Sequence, residues 1–442
     1  MSFHLAGPLY KNTFGTRTMR EIFDNEAYVE RFMQVEAALA RAEAAHDVVP
    51  RDAAETISDR ASLDYVDMDA VERNLGEQGL LSMSIIDAWE ESLGEAGEYL
   101  HWGATSQDIM DTTTVLQVRE GTKAVIEDTE RVRDQLRDLA AEYRETPMMG
   151  RTHHVHAIPI TFGLKVASWF DEVERDLDRL REARDRAIAT QFFGAVGTLA
   201  SLDEVGLDVQ AQFAEELSLP VPDVSWQAAR DRFAELVAEF STLAGTLARI
   251  ANQILLLNRP EIGEVTVEVD EGRVGSSTMP HKTNPTAAEV VVAMAPLLRG
   301  SAHVMQEVME SFDERSASTW YVEFAVLPEA FSYVHRAVTG TIDLLDHLDI
   351  HPDAMADNVA IEGDVIGSEP IMMVLAEEVG RQTAHDVVYE NAMAAIKQGE
   401  DFIERLAADG RVDLSREALR TIGDPTQYTG VASRLVDRTI ER

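Results

Sequence analysis

One long run of apolar residues restricts the fold of this chain more than any other feature. Its members alternate at spacings of three and four positions: Phe233, Leu236, Phe240, Leu243, Leu247, Ile250, Ile254 and Leu257. Positions repeated in this heptad pattern require one α-helix of about 25 residues, about 37 Å long. An apolar seam of that length needs neighbouring helices to cover it, so the pattern predicts a bundle of long helices.

Two further seams predict two more long helices. They consist of Val166, Phe170, Val173, Leu177 and Leu180, and of Val118, Val125, Val132, Leu136 and Leu139. Period-two alternation, which is typical of strands, is almost absent. The sequence therefore predicts an all-α protein of three helical domains, at residues 1–100, 101–345 and 346–442, of which the middle one holds the long seams.

The charge of the chain excludes several classes of partner. Asp and Glu number 79 against 39 Lys and Arg, which gives a formal net charge of −40, and 45% of the residues are hydrophobic. That hydrophobic share excludes a disordered acidic tail. An evenly acidic, lysine-poor surface stays hydrated in molar salt, where a Debye length of about 3 Å screens self-repulsion. We interpret the charge as a halophile's adaptation, and it argues against nucleic acid or an anionic membrane as a partner.

The absence of cysteine excludes a disulfide, a thiolate nucleophile and a Cys-ligated metal. The N-terminus lacks the basic-then-apolar pattern of a signal peptide. No stretch approaches the roughly 20 uninterrupted apolar residues of a membrane span. The sequence therefore predicts a cytoplasmic protein.

A polar, turn-rich segment, GSSTMPHKTNP, interrupts the helical pattern at residues 275–285. Asn284 is a candidate N-cap, and Pro285 is a candidate first helical residue. A loop leading into a helix N-terminus offers free backbone N–H groups to an anion, and Lys282 adds a positive charge. The segment predicts an anion site, and a flexible loop with a solvated lysine is the alternative.

A second polar segment, GRTHHVHAIP, spans residues 150–159 and precedes a seam helix. A metal cluster would need further ligands, and the segment contains no carboxylate or thiolate. One histidine acting in acid–base chemistry with a carboxylate partner fits the pattern better. For His154 and His156, a hydrogen-bonded structural role is the alternative.

A third segment, HWGATSQDIMDT at residues 101–112, opens the first long helix. Thr105, Ser106 and Gln107 are neutral donors at a helix start, which suits a carboxylate, and ordinary N-capping by Ser106 or Asp108 is the alternative. Two more segments, SWQAARDR at 225–232 and DERSASTW at 313–320, place arginines and small hydroxyls near helix ends.

Together these segments resemble the fumarase/aspartase superfamily. GSSTMPHKTNP is similar to its signature loop, and the segments at 101–112 and 150–159 are similar to its two other shared regions, in the same order. The resemblance runs from about residue 15 to residue 390. It is nearest to the branch that contains adenylosuccinate lyase and 3-carboxy-cis,cis-muconate cycloisomerase.

The resemblance implies an assembly and a reaction. The assembly is a homotetramer with a shared 20-helix core, in which segments of three subunits build each active site. In the reaction, a proton leaves the carbon next to a carboxylate, the leaving group departs from the neighbouring carbon, and fumarate is released. The resemblance implies no metal and no organic cofactor.

The resemblance also implies roles for individual residues. Ser276 matches the general base, His153 the histidine that protonates the leaving group, and Glu289 the carboxylate that orients this histidine. Lys282 would lower the energy of the serine anion and of the charge on the substrate. The residues expected to bind substrate are Thr105, Ser106, Gln107, Thr152, Ser277, Asn284, Arg315, Arg20 and Gln227.

The sequence leaves the substrate open. It lacks the late domain 1 histidine of adenylosuccinate lyases, Arg17 and Arg20 only partly replace their phosphate-binding arm, and Gln227 stands where cycloisomerases often carry His. The first hypothesis is a fumarate-forming C–N lyase acting on a small dicarboxylate N-succinyl compound. The second is a cycloisomerase acting on a carboxylated muconate. A non-catalytic helical scaffold is the third, although a scaffold would not need the predicted catalytic residues.

Overall fold

The computed structural model describes residues 8–268, 279 and 282–441, and most of this part of the chain is helical. The helices are α1 (Lys11–Phe14), α2 (Arg17–Phe23), α3 (Asn25–Ala45), α4 (Arg51–Asp59), α5 (Met68–Gln78), α6 (Leu81–Leu93), α7 (Ser106–Glu142), α8 (Phe162–Ala187), α9 (Val205–Leu217), α10 (Asp231–Leu257), α11 (Thr286–Glu307), α12 (Ala317–Asp346), α13 (Pro352–Ala360), α14 (Ser368–Val379), α15 (Arg381–Gln398), α16 (Phe402–Ala407), α17 (Arg416–Ile422) and α18 (Ala432–Ile440). The all-α class and the long central helices are confirmed.

Two small antiparallel sheets, which the sequence did not predict, accompany the helices. The first pairs β1 (Pro147–Thr152) with β2 (Val155–Thr161), and the second pairs β3 (Val265–Val267) with β4 (Leu348–Ile350). They occupy few residues, so they leave the fold class unchanged.

The apolar seams explain why the long helices form. The helix α10 has 27 residues, and every member of its seam is at most 5% exposed. By length and composition, α10 also resembles a membrane span. Its seam, however, is covered by other parts of the protein, as in a core helix. The seams on α7 and α8 are buried as well, except that Leu139 is half-buried.

The chain divides into two compact units. Unit 1 comprises residues 1–130, 175–249 and 289–341, and unit 2 comprises residues 131–174, 250–288 and 342–442. Five long helices, α7, α8, α10, α11 and α12, contribute residues to both units. The division into three domains stays a prediction.

Candidate active site

His153 lies at the tip of a β-hairpin in unit 2. The strands β1 and β2 are joined by the two residues His153 and His154, whose φ angles are +50° and +68°, and Thr152 pairs with Val155 across the turn. Two central residues with left-handed backbone angles define a type I′ turn, and the twist of this turn matches that of the strands. Such backbone angles are strained for non-glycine residues, and strain of this kind clusters at functional sites. The His153 side chain is exposed at this tip.

In unit 1, the start of α7 brings two predicted substrate-binding residues together. The guanidinium of Arg315 donates to the hydroxyl of Thr105, immediately before the first helical residue, Ser106. The first-turn N–H groups of a helix have no intrahelical acceptor, so those of Ser106 and Gln107 point out of the helix start. A guanidinium, a hydroxyl and N–H groups at one point form an arrangement that suits a carboxylate.

A buried carboxylate fixes this helix start. Asp108 Oδ2 accepts the backbone N–H of Thr105 at 3.1 Å and that of Gly194 at 2.9 Å, and its Oδ1 accepts the N–H of Phe193 at 3.1 Å. Burial raises the pKa of Asp108 to about 6, although these hydrogen bonds act in the opposite direction. Asp108 therefore caps α7 and ties it to the segment at residues 193–194.

Gln107 and Gln227 also meet in unit 1. Gln107 Nε2 donates to Asp111 Oδ2 at 3.0 Å and to the carbonyl of Gln227 at 2.9 Å. Gln227 Nε2 donates to Asp108 Oδ1 at 3.0 Å and to the carbonyl of Gly194 at 3.1 Å. Within the described ranges, the Oε1 atom of each glutamine is buried without a hydrogen-bond partner. In this arrangement the amide nitrogen of each glutamine already donates to protein groups, whereas its Oε1 acceptor is unused among the residues described. The binding of substrate by Gln107 and Gln227 stays a prediction.

A buried ion-pair network next to these glutamines was not predicted as part of the site. Arg230 donates to both oxygens of Asp111, at 2.8 and 3.0 Å, and to Glu323 Oε1 at 2.8 Å. Its guanidinium lies 4.8 Å from the centre of the Trp226 ring. Burial alone would lower the pKa of Arg230, but the two carboxylates outweigh it and raise the pKa. The network connects α7, the start of α10 and α12 inside unit 1.

The remaining predicted residues lie in several places. Arg20 donates to the carbonyl of Lys11 at 2.8 Å and to Asn12 Oδ1 at 3.0 Å, so it secures the N-terminal arm. Lys282 is exposed, and its backbone N–H donates to the carbonyl of Met279 at 3.0 Å. Ser276 and Ser277, the predicted base and its neighbour, lie outside the described residues.

The helix that follows the predicted loop begins one residue later than expected. The first residue of α11 is Thr286 rather than Pro285, because the Thr286 N–H turns back to the carbonyl of Asn284 at 2.8 Å. Glu289 is exposed in the first turn of α11. It belongs to unit 1 whereas His153 belongs to unit 2, and the pairing of these two residues stays a prediction.

Among the residues that the structure describes, no group of three or more His, Asp or Glu side chains is placed to hold a metal ion. The histidine-rich segment at 150–159 forms no such group. His153 and His154 form the turn, while His156 lies on β2 with its Nδ1 atom 3.5 Å from Glu362 Oε1. The independence from metal and cofactor stays a prediction.

Comparison with known proteins gives matches along nearly the whole chain. A family described as Lyase matches residues 11–300, and one described as Adenylosuccinate lyase C-terminus matches residues 364–439. The N-acetyl-S-(2-succino)cysteine lyase of Enterococcus italicus is 37% identical over 434 residues, which cover 98% of this chain and 95% of that protein. The 3-carboxy-cis,cis-muconate cycloisomerase of Pseudomonas aeruginosa is 35% identical over 441 residues, which cover 98% of this chain and 96% of that protein.

A solved structure is similar over the same length. The crystal structure of a fumarate lyase from Mesorhizobium sp. BNC1 has a TM-score of 0.92 and 37% sequence identity, and the match covers 98% of this chain and 100% of that chain. The helical fold is therefore that of the fumarate lyases.

Proposed function

Because this chain belongs to the lyase family of the fumarase/aspartase superfamily, we propose that it cleaves a succinyl compound by β-elimination and releases fumarate. The contact between Arg315 and Thr105 at the start of α7 is the observation that carries this proposal. It gathers a guanidinium, a hydroxyl and first-turn N–H groups, which together suit one carboxylate of a succinyl group.

The proposed mechanism assigns a role to each predicted catalytic residue. Ser276 removes the proton from the carbon next to a substrate carboxylate. The resulting dianion needs strong electrostatic stabilisation, which Lys282, Asn284 and the loop N–H groups supply. His153 protonates the leaving group, and Glu289 orients His153.

Groups that bind the succinyl half of a substrate do not specify which atom leaves. A C–N lyase acting on an N-succinyl compound is our first proposal, and the match to the Adenylosuccinate lyase C-terminus family supports it. The Enterococcus relative is named for an S-succinyl thioether, so a C–S bond joins the candidates. Both reactions share the same proton removal and the same fumarate half.

A cycloisomerase acting on a carboxylated muconate is the second proposal. The relative from Pseudomonas aeruginosa carries that name and matches over nearly the whole chain. Here the same groups would bind a polycarboxylate, and ring closure would replace the departure of an amine or thiol. No fumarate would form, which separates the two proposals experimentally.

We also propose that the working enzyme is a cytoplasmic homotetramer adapted to high salt, with active sites shared between subunits. In such an assembly, His153 of one chain and Glu289 of another would complete one site. Both residues are exposed in the single chain, which supports the sharing of active sites between subunits.

The test is a substrate panel assayed in molar salt. Fumarate formation is followed by absorbance with adenylosuccinate, argininosuccinate, aspartate and N-acetyl-S-(2-succino)cysteine, and carboxymuconate consumption is followed in parallel. We expect fumarate from at least one succinyl compound. Ser276→Ala should then lower kcat by about 100-fold or more, the usual contribution of general base catalysis.

Ser277→Ala is the matched control, since it removes a neighbouring hydroxyl that we assign to substrate binding. It should raise KM more than it lowers kcat. Wild-type turnover by Ser276→Ala would refute the assignment of the base. Turnover of carboxymuconate alone would favour the second proposal.

A further inference from the structure

An ion pair within unit 2 involves the strand residue two positions before His153. Arg151 Nη1 donates to Glu264 Oε2 at 2.9 Å, and Arg151 Nη2 donates to Glu264 Oε1 at 2.7 Å. Two parallel hydrogen bonds fix the orientation of a guanidinium as well as its position. Arg151 is only two residues from His153, so very little chain separates this pair from the histidine.

A β-bulge precedes Arg151. The strand register shifts between Met149 and Arg151, where Gly150 lies opposite residues 157 and 158, so the extra residue is on β2. A Cβ atom on Gly150 would lie 2.4 Å from the carbonyl oxygen of Ile158, so the close approach of the two strands requires glycine. Bulges redirect side chains beside functional sites, and this one lies opposite Gly150, the residue before the arginine that reaches Glu264.

Glu264 is a rigid anchor for Arg151. Its side chain is fully buried. Asn358 Nδ2 donates to Glu264 Oε1 at 2.8 Å and to the carbonyl of Ile262 at 2.8 Å, and the Glu264 carbonyl accepts the N–H of His351 at 3.0 Å. Removing one partner of a buried ion pair leaves an uncompensated charge, so this arrangement resists displacement.

The turn itself needs such an anchor. His153 and His154 both hold positive φ angles, and strained backbone persists only where the surrounding structure determines it strongly. The hairpin tip is exposed, so few packing contacts are available there. The pair of Arg151 with Glu264 supplies a fixed point at the last strand residues before the turn.

We propose that the ion pair of Arg151 and Glu264 is a positioning device for His153, which it holds in the orientation needed for proton transfer to the leaving group. This proposal rests on the proposed function. Arg151 and Glu264 are positioning residues rather than catalytic ones, since they act through the turn. A misplacement of about 1 Å can lower a rate by about 100-fold, so the effect of the pair falls on kcat.

Arg151→Lys tests the proposal, because it keeps the charge and loses the two-bond geometry. In the fumarate assay, kcat should fall about 10-fold to 100-fold, while KM stays within about twofold. Hydrogen exchange measured by mass spectrometry should show faster exchange in peptides that cover residues 147–161.

Arg411→Lys is the matched control. Arg411 makes a similar two-bond pair with Asp409, at 3.0 and 2.7 Å, in the same unit, and its further partner, Glu390, is not part of the hairpin. It should change neither kcat nor exchange at residues 147–161.

Unchanged kcat or unchanged hairpin exchange in Arg151→Lys would overturn the positioning role, as would an equal loss of kcat in Arg411→Lys. Full activity of His153→Gln would overturn it as well, since the device would then have nothing to position. A wild-type protein inactive on every panel substrate would instead contradict the proposed function, and the exchange measurement would still decide whether Arg151 holds the turn.

Discussion

At the scale of single residues, the fold buries a carboxylic acid whose proton it retains. Glu43 lies on α3, and neither of its oxygens has a hydrogen-bond partner within the described part of the chain. Burial, and secondarily the nearby carboxylate of Glu36, raise the pKa of Glu43 from 4.5 to about 9. Between these two values the unfolded chain loses this proton while the folded chain keeps it. The contribution of Glu43 to the free energy of unfolding therefore falls as the pH rises through this window.

Glu43→Gln should remove this pH dependence, because glutamine is neutral in both the folded and the unfolded state. The loss in the wild type is about 1.4 kcal/mol per pH unit. Relative to the wild type, the variant should therefore gain up to about 4 kcal/mol between pH 5 and pH 8. Urea unfolding at several pH values measures the difference.

Glu55→Gln is the control for this prediction, since Glu55 is exposed on the neighbouring helix α4. It should leave the pH dependence as in the wild type. A parallel pH dependence of Glu43→Gln and the wild type would show that Glu43 is ionised in the folded protein.

Residues within one contiguous motif could be named from the sequence, whereas networks between distant segments could not. Thr105 lies in a motif that indicates a helix start, and Arg315 lies in a segment rich in hydroxyl side chains. Arg230 was visible only as one charged residue near a helix end, because its partners Asp111 and Glu323 lie 119 and 93 positions away. Only folding reveals that the three side chains meet.

At the scale of elements, periodicity predicted the helices and missed the hairpin. The seam on α10 repeats over the whole helix, so its length followed from the sequence. The strand β1 reads PMMGRT and shows no alternation. Its turn consists of two histidines instead of the Asn-Gly or Asp-Gly pairs that usually indicate a type I′ turn. The histidines suggested chemistry, and their backbone role was hidden.

The start of α8 packs closely against the end of α7. A Cβ atom on Gly163 would lie 2.4 Å from the Cα atom of Arg144 and 2.6 Å from the carbonyl oxygen of Ala140. Gly163→Ala would therefore push the start of α8 away from the end of α7. We expect a loss of about 2 to 3 kcal/mol in the free energy of unfolding, measured by urea titration.

Gly76→Ala provides the contrast, because a Cβ atom at this exposed position on α5 meets no atom within 4 Å. Alanine favours the helix there, and stability should rise by up to about 1 kcal/mol. Equal effects of the two substitutions would contradict the steric explanation for Gly163.

At the scale of the whole molecule, the net charge of −40 opposes both folding and assembly. The same charge would repel substrates with several carboxylates, so the proposed site needs local cations such as Arg315 and Lys282 to bind them. Lysine is rare in the chain, with five residues in total, which makes the lysine in the signature loop more conspicuous. Salt should therefore act on the assembly more strongly than on the local geometry of the site.

We expect the assembly of the chains to depend on salt concentration. The Debye length shrinks from about 30 Å at 0.01 M salt to about 3 Å at 1 M, so molar salt removes most repulsion between chains. We expect light scattering to give the mass of a tetramer in molar salt and a smaller mass at 10 mM, because each added chain brings the same large negative charge. NaCl and KCl at equal ionic strength should act alike, since screening depends on ionic strength. A mass that stays constant from molar to millimolar salt would refute the interpretation of the charge as an adaptation to salt.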